Sequence, residues 1–146
     1  MASARIKKLS KIFVDSSVLI SAAISSTGSA RDLIKSSLNN EIVVIVSNLV
    51  LEETQRNLTS KAPEALDALR YFLEALNPEV VIPGKTLVRK VSKIVDLKDA
   101  PIVAGAIFSK ADYLVSFDRK HLLAHKREIE IHFKVKVVTP DEIVDL

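Results

Sequence analysis

Four acidic side chains lie at positions from which a parallel α/β fold can bring them together. Two of them come just after apolar runs that are typical of buried strands, at 12–14 and 113–115. A third falls in a helical pattern after another such run, and the fourth directly precedes a further helix. The loops after parallel strands share one edge of the sheet, where binding sites form. We therefore predict one acidic site built from Asp15, Glu53, Asp99 and Asp118.

A cluster of carboxylates indicates a bound cation, because like charges at close range repel each other unless a positive ion lies between them. Ligand sets made only of oxygen favour hard cations. The chain contains no cysteine, which excludes disulfides and thiolate-bound zinc. The expected cofactor is therefore Mg²⁺ or Mn²⁺, and the expected class of protein is a metal-dependent enzyme.

Each acid also has a purely structural interpretation. Aspartate is favoured at helix N-termini, which suits Asp15 and Asp99, and in turns, which suits Asp118. Glu52 and Glu53 are adjacent, so their side chains point about 100° apart on a helix and only one of them can face the site. Helical spacing alone does not choose between these two glutamates.

Strand-like and helix-like segments alternate along the chain. Strands are predicted at 11–14, 42–46, 80–82, 113–116 and 134–138. Helices are predicted from Val18, over 30–38 with Ser29 as N-cap, from Ser47 or Asn48 to 58, over 63–76, around 87–95, over 101–109 and over 140–144. This alternation predicts an α/β fold with a central parallel sheet and helices on both faces.

Length and composition fit one compact domain. The chain has 146 residues, of which 48% are hydrophobic, and we expect a single domain over 11–146 after a short basic lead over 1–10. That lead lacks the apolar core of a signal peptide, and no segment approaches the roughly 20 apolar residues of a membrane helix. A cytoplasmic protein without a membrane contact is therefore expected. The formal charge of +3 permits a polyanionic partner.

The remaining polar residues give weaker signals. His121, His125 and His132 lack metal-binding spacing with an acid, so they are interpreted as surface or structural residues. A P-loop, a dinucleotide-binding glycine motif and a G-x-S-x-G nucleophile motif do not occur in the sequence. Arg119 and Lys120 belong to a basic group after the last acid, which suits either a solvated helix face or contacts with phosphates.

Four stretches, taken in order, resemble the PIN-domain family of metal-dependent ribonucleases. They are IFVDSSVL at 12–19, SNLVLEET at 47–54, DLKDAPIVA at 96–104 and DYLVSFD at 112–118. The resemblance covers nearly the whole chain. It implies a three-layer α/β/α sandwich with a central parallel sheet, and an endoribonuclease that is often the VapC-like toxin of a toxin–antitoxin pair.

The resemblance also implies roles for individual residues. In the family's pattern a Glu follows a strand-ending Ser and precedes a Leu by five positions, which Ser47, Glu53 and Leu58 match, so Glu53 is preferred to Glu52. The first motif of the family often reads Asp-Thr-Asn, whereas this chain has serine at both positions after the aspartate, which keeps the hydroxyl and drops the amide.

The mechanism implied by this resemblance uses all the predicted acids. The catalytic residues would be Asp15, Glu53, Asp99 and Asp118, with the three aspartates as metal ligands and the glutamate completing the shell or orienting the attacking water. Ser16, Ser116 and Asp96 are candidates for outer contacts that hold these carboxylates. Contacts with the RNA backbone would come from Arg119 and Lys120.

Other functional classes fit the sequence less well. A haloacid-dehalogenase-type phosphatase would need an acid two residues after Asp15, where Ser17 stands. A receiver domain would need adjacent acids near the end of the first strand and a lysine after a late strand, and neither is clear. The alternative from another class is a PIN-fold module that binds RNA or protein without catalysis, against which the retention of all four acids argues.

The helix predicted over 63–76 bears more apolar residues than one helix usually buries against a sheet. Tyr71 and Phe72 are adjacent and point to different sides, so one of them should lie outside the core. Exposed apolar patches tend to be interfaces. We therefore expect a homodimer to which this helix contributes, and the alternative is that the helix packs only on its own neighbours.

Overall fold

The computed structural model describes residues 9–144, and at its centre lies a five-stranded sheet in which all strands run parallel. In chain order the strands are β1 (Ser10–Val14), β2 (Ile42–Ser47), β3 (Glu79–Val81), β4 (Tyr113–Val115) and β5 (Lys136–Val138). Their order across the sheet is β3-β2-β1-β4-β5. The predicted α/β class with a central parallel sheet is confirmed.

Helices flank this sheet throughout the described residues. They are α1 (Ser16–Ile24), α2 (Ser29–Leu38), α3 (Asn48–Lys61), α4 (Leu66–Leu76), α5 (Lys85–Val91), α6 (Ala100–Phe108), α7 (Lys126–Phe133) and α8 (Pro140–Val144). Short 3₁₀ turns precede two of them, at Pro63–Ala65 and Leu123–His125. Within residues 9–144, no helix combines the length and apolar character that a membrane crossing requires.

The central strands are buried because their residues are apolar on both faces. Ile12, Phe13 and Val14 of β1 have no exposed surface, and the second half of β2 is buried as well. Continuous apolar runs of this kind suit parallel strands that helices cover on both sides. Val80, on the edge strand β3, is about half exposed. The best-packed part of the sheet is therefore the part that carries the residues after β1 and β4.

The chain reverses its direction across the sheet between β1 and β4. From β1 it moves to β2 and β3 on one side, and it then returns to place β4 and β5 on the other side. Right-handed crossovers put α1 to α4 on one face and α5 to α7 on the opposite face. In agreement, α1 contacts α2, α3 and α4, and α5 contacts α6. This arrangement is a three-layer α/β/α sandwich, and ligands bind to such sheets at the reversal point, beyond the carboxyl ends of the strands.

Helix α6 lies close against β1 because Gly105 has no side chain. A Cβ atom at this position would lie 2.7 Å from Cζ and 2.9 Å from Cε2 of the buried Phe13 ring. Carbon atoms pack at about 3.5–4.0 Å, so a larger residue would push the helix away from the strand. Gly105 thereby fixes the depth at which α6 packs on the sheet.

The observed boundaries differ from the predicted ones where local backbone conformation decided them. Ser29 was expected to cap the second helix, but it is already the first residue of α2, and Gly28, with a φ of 108°, occupies the capping position. The last strand was expected from Lys134, but this residue is left-handed, with a φ of 59°, and ends α7. Helix α7 was not among the predicted helices. The predicted lead over 1–10 falls largely outside the described residues.

Candidate active site

All four predicted acids line one cleft beyond the carboxyl ends of β1 and β4. The cleft has a volume of about 570 Å³. The acids reach it from the end of β1, from the middle of α3, from the start of α6 and from the loop after β4. The neighbouring polar residues in its wall are Ser16, Ser17, Arg56, Asn57, Ser60 and Lys98. The structure thus brings together acids that lie up to about a hundred residues apart in the sequence.

Asp15 is held by two hydroxyl groups and does not cap its helix. The residue is buried and occupies the N-cap position of α1, yet its side chain forms no capping hydrogen bond within the described structure. Its Oδ2 atom instead accepts hydrogen bonds from Ser116 Oγ at 2.8 Å and from Ser17 Oγ at 3.0 Å. Its backbone N–H donates to the Val115 carbonyl at 3.0 Å. The carboxylate is therefore fixed between the ends of β1 and β4.

Ser116 connects the first and last acids of the site. It is fully buried, and while it donates to Asp15, its Oγ accepts a hydrogen bond from the backbone N–H of Asp118 at 2.9 Å. Ser17 makes a similar link, because its Oγ accepts from the Phe117 N–H at 3.1 Å. These bonds tie the loop after β4 to the start of α1. Ser116 is one of the predicted outer contacts, whereas the matching role of Ser17 was not predicted, although a hydroxyl two residues after the aspartate could have suggested it.

Asp118 organises the turn that follows it. Its Oδ1 atom accepts from the His121 backbone N–H at 3.1 Å, and its carbonyl accepts from the Leu123 N–H at 3.0 Å. One oxygen of Asp118 therefore stabilises the turn, as the structural interpretation predicts. The residue also lines the cleft. Asp118 both positions His121 and contributes negative charge to the site.

Asp99 is the buried acid with an unsatisfied oxygen. The residue is only 6% exposed, and its Oδ2 atom has no hydrogen-bond partner among residues 9–144. It lies at the N-cap of α6 without a side-chain capping bond. Burial raises the pKa of Asp99, the charge of His121 lowers it, and the carboxylates of Asp118 and Asp96 raise it further. A buried carboxylate oxygen without a donor is costly, and a bound cation would offset that cost.

Glu53, and not Glu52, faces the cleft. The helix register follows from Ser47, which caps α3 by accepting a hydrogen bond from the Val50 N–H at 3.2 Å. Glu53 is half-buried, and its Oε2 atom accepts from Ser16 Oγ at 3.1 Å, whereas Glu52 is exposed. Ser16 therefore lies beside an acid of the cleft.

Three other predicted residues lie outside the wall of the cleft. Asp96 is exposed, and its Oδ2 atom lies 3.8 Å from His121 Nδ1. Arg119 and Lys120 are exposed on the turn after Asp118.

The cationic residues in the cleft wall are Arg56 and Lys98, which the sequence analysis did not select. Their sequence positions did carry a signal, because Arg56 lies three residues after Glu53 on one helix face and Lys98 precedes Asp99.

The donor set of the cleft fits a hard divalent cation. Four carboxylates converge, one of them has a buried oxygen without a partner, and two are held by serine hydroxyl groups. Carboxylate oxygens are the ligands that Mg²⁺ and Mn²⁺ prefer. The arrangement is therefore chemically suited to metal-assisted reactions at phosphate esters.

Solved structures of other proteins share this fold. PAE2754 from Pyrobaculum aerophilum has a similar structure, with a TM-score of 0.63 and 19% sequence identity over 94% of this chain and 96% of that one. The structure of VapBC2 from Rickettsia felis, bound to a DNA fragment from their promoter, gives a TM-score of 0.64 at 16% identity over 88% of this chain and 98% of that one. These similarities support the shared fold. A search of curated protein sequences gave no significant match.

The family assignment follows from the sequence. A model of the PIN domain matches residues 11–120, which include all four acids of the cleft. This match spans most of the chain and confirms the resemblance found in the four sequence motifs. The chain belongs to the PIN-domain family.

Proposed function

We propose that this PIN domain is an endoribonuclease that hydrolyses phosphodiester bonds in RNA with the help of Mg²⁺ or Mn²⁺. The observation that carries the proposal is the convergence of Asp15, Glu53, Asp99 and Asp118 in one cleft, with a buried oxygen of Asp99 that has no partner in the described part of the chain. A binding module would gain nothing from clustered negative charge that repels the phosphate backbone. A cation held by the same acids reverses that repulsion.

In the proposed mechanism the metal ligands are Asp15, Asp99 and Asp118. The bound ion would lower the pKa of the attacking water and neutralise charge on the phosphate. Ser17 and Ser116 hold Asp15 in place. Such outer contacts preserve the orientation of ligating carboxylates.

The remaining residues of the cleft would bind water and RNA. Glu53, fixed through one oxygen by Ser16, would accept a hydrogen bond from the attacking water and orient it. Arg56 and Lys98 in the wall, with Arg119 and Lys120 on the exposed turn, would contact backbone phosphates. Phosphate contacts supply affinity and position without sequence choice.

We further propose that the chain acts in the cytoplasm as the toxin of a toxin–antitoxin pair. The support is the family membership together with the fold shared with VapBC2. A small antitoxin protein would be its partner. Coexpression with the product of a neighbouring small gene, followed by purification of a complex that no longer cleaves RNA, tests this part of the proposal.

Cleavage of generic RNA by the purified protein tests the catalytic proposal directly. We expect internal cuts in the presence of Mg²⁺ or Mn²⁺, loss of cleavage in EDTA and recovery when excess metal is added back. RNA that is bound but remains intact under all metal conditions would support the non-catalytic binding module instead. Undiminished cleavage in EDTA would contradict the metal-dependent mechanism.

We also propose that the chain forms a homodimer through α4. Of the adjacent aromatic residues, Phe72 is buried and Tyr71 is 65% exposed, so one of the two lies outside the core as expected. The same helix also lines a groove of about 490 Å³ with Leu66, Leu69 and Leu73, and Tyr71 lies outside the wall of that groove. Exposed aromatic residues and apolar grooves are both typical of interfaces.

Light scattering at micromolar concentration measures this assembly. The wild-type chain should have the mass of a dimer. Tyr71→Asp should yield a monomer, because dimer formation would then bury a charge in an apolar interface. The matched control is Phe108→Asp, which places the same charge on an exposed aromatic residue of α6 and should leave the mass unchanged. A monomeric wild-type protein, or a dimer that persists in Tyr71→Asp, would refute the assignment.

A further inference from the structure

A histidine and two aspartates meet beside the cleft. One possible ligand atom from each of Asp96, Asp99 and His121 lies within 4.8 Å of the other two. The sequence pattern gave His121 no partner, because the two acids precede it by more than twenty residues. We refer to these three residues as the rim cluster. It shares Asp99 with the cleft, while Asp96 and His121 lie outside the cleft wall.

Hydrogen bonding does not account for the rim cluster. Asp99 Oδ2 lies 3.4 Å from His121 Nδ1, beyond the range of 2.7–3.2 Å that is usual for such bonds. The same oxygen is buried and has no donor anywhere in the described part of the chain. Asp96 Oδ2 is 3.8 Å from the same nitrogen. The three atoms therefore face each other at distances that leave room for a shared partner.

The distances from His121 Nδ1 to the two carboxylates fit a tetrahedral metal ion. Four ligands at about 2.1 Å from a tetrahedral ion lie about 3.4 Å from one another. Adjacent ligands of an octahedral Mg²⁺ at about 2.1 Å would lie closer, at about 3.0 Å. The observed distances of 3.4 Å and 3.8 Å from His121 Nδ1 agree better with the tetrahedral ion.

We propose that the rim cluster is a binding site for Zn²⁺ or a similar late transition-metal ion. The ligands are Asp96, Asp99 and His121, and water completes the coordination. An imidazole nitrogen suits Zn²⁺ and disfavours Mg²⁺, which prefers oxygen. The site goes beyond the proposed ribonuclease centre and does not require that the chain cleave RNA.

The surrounding backbone positions these ligands. Asp96 and Asp99 belong to one turn, in which the Asp96 carbonyl accepts from the N–H groups of Asp99 at 2.9 Å and Ala100 at 3.0 Å. His121 is held by the hydrogen bond from its N–H to Asp118 Oδ1 at 3.1 Å. The side chains of Asp96 and His121 are 65% and 37% exposed, so an ion can enter from solvent. The side chain of Asp99 is only 8% exposed, so Asp99 forms the closed side of the site.

Equilibrium dialysis of Zn²⁺ without RNA tests the site. His121→Ala and Asp96→Asn should each weaken Zn²⁺ binding by roughly tenfold or more, because each removes a direct ligand. Two matched controls are available. His125→Ala removes an imidazole outside the rim cluster, and Asp32→Asn removes an exposed carboxylate outside both the cleft and the cluster, so both should retain wild-type Zn²⁺ affinity.

Co²⁺ provides a readout that identifies the ligand. Bound Co²⁺ should shift the ring-proton resonances of one histidine in the NMR spectrum, and this signal should vanish in His121→Ala while it persists in His125→Ala. Thermal unfolding of each variant checks that it is folded. If His121→Ala does not fold, Asp96→Asn, which changes an exposed residue, tests the site in its place.

Three results would overturn the proposal. They are wild-type Zn²⁺ affinity in both His121→Ala and Asp96→Asn, an equal loss in His125→Ala, and equal weakening of Zn²⁺ and Mg²⁺ binding by His121→Ala. A wild-type protein that binds Zn²⁺ at this site but does not cleave RNA would instead count against the ribonuclease proposal alone.

Discussion

Replacement of Asp15, Asp99 or Asp118 by asparagine should each reduce RNA cleavage in Mg²⁺ or Mn²⁺ by more than roughly a hundredfold. Removal of an outer-shell partner alone typically costs 10- to 100-fold, and these aspartates are the proposed ligands themselves. Asparagine has the shape of aspartate and keeps an oxygen that can accept the hydrogen bonds of Ser116 or His121. The loss would therefore report the missing charge and not a disrupted fold.

The same variants should keep or raise the thermal stability of the metal-free protein. The pKa of Asp99 is raised in the folded state, so ionisation of this residue destabilises the fold. This loss of stability begins as the pH rises above the pKa that Asp99 has in the unfolded chain, and it is present at neutral pH. Asp99→Asn removes that cost, so its Tm at neutral pH should exceed that of the wild type. Lower activity together with an unchanged or higher Tm is the expected combination.

The matched control for this series is Asp32→Asn. Asp32 is exposed on α2 and does not line the cleft, so its replacement should leave cleavage unchanged. Full activity in Asp15→Asn or Asp99→Asn would exclude the proposed mechanism. A loss of activity accompanied by a large fall in Tm would show that the aspartate has a structural role instead.

Glu53→Gln should lower cleavage by roughly tenfold or more, whereas Glu52→Gln should cleave at the wild-type rate. Both substitutions remove one negative charge from the same helix turn, so they change the net charge of the protein equally. Only Glu53 lines the cleft and accepts the hydrogen bond from Ser16, a bond that glutamine can retain. The difference between the two variants therefore isolates the carboxylate that faces the site.

Single-turnover cleavage at saturating metal concentration measures this difference. The measurement separates the chemical step from product release and from weaker metal binding. Loss of activity in Glu52→Gln with normal activity in Glu53→Gln would mean that the working register of α3 differs from the one that the Ser47 cap defines. Equal activity in both variants would remove Glu53 from the mechanism.

The sequence by itself determined the central strands and the acids at their ends. The run Ile12 to Val14 is apolar on both faces, as is typical of a parallel strand covered on both sides, and a charged residue directly after such a strand lies at its carboxyl end. Asp15 and Asp118 could be predicted for this reason. Helix ends were harder to predict. Helix α2 starts after a glycine of positive φ and α7 ends at the left-handed Lys134, and at both points the backbone conformation of one residue, rather than the pattern of apolar residues, sets the boundary.

Only the tertiary structure decided which side chains lie beside these acids. Glu52 and Glu53 are the same residue type and differ in their position around the axis of α3. The packing of α3 against α1 turns Glu53 toward Ser16. The contact of His121 with Asp99, the buried and unpaired Asp99 oxygen, and the places of Arg56 and Lys98 arise between elements that are distant in the chain. Sequence periodicity records which face of an element is buried. Distances between elements follow from how they pack, and here the close approach of α6 to β1 at Gly105 fixes one of them.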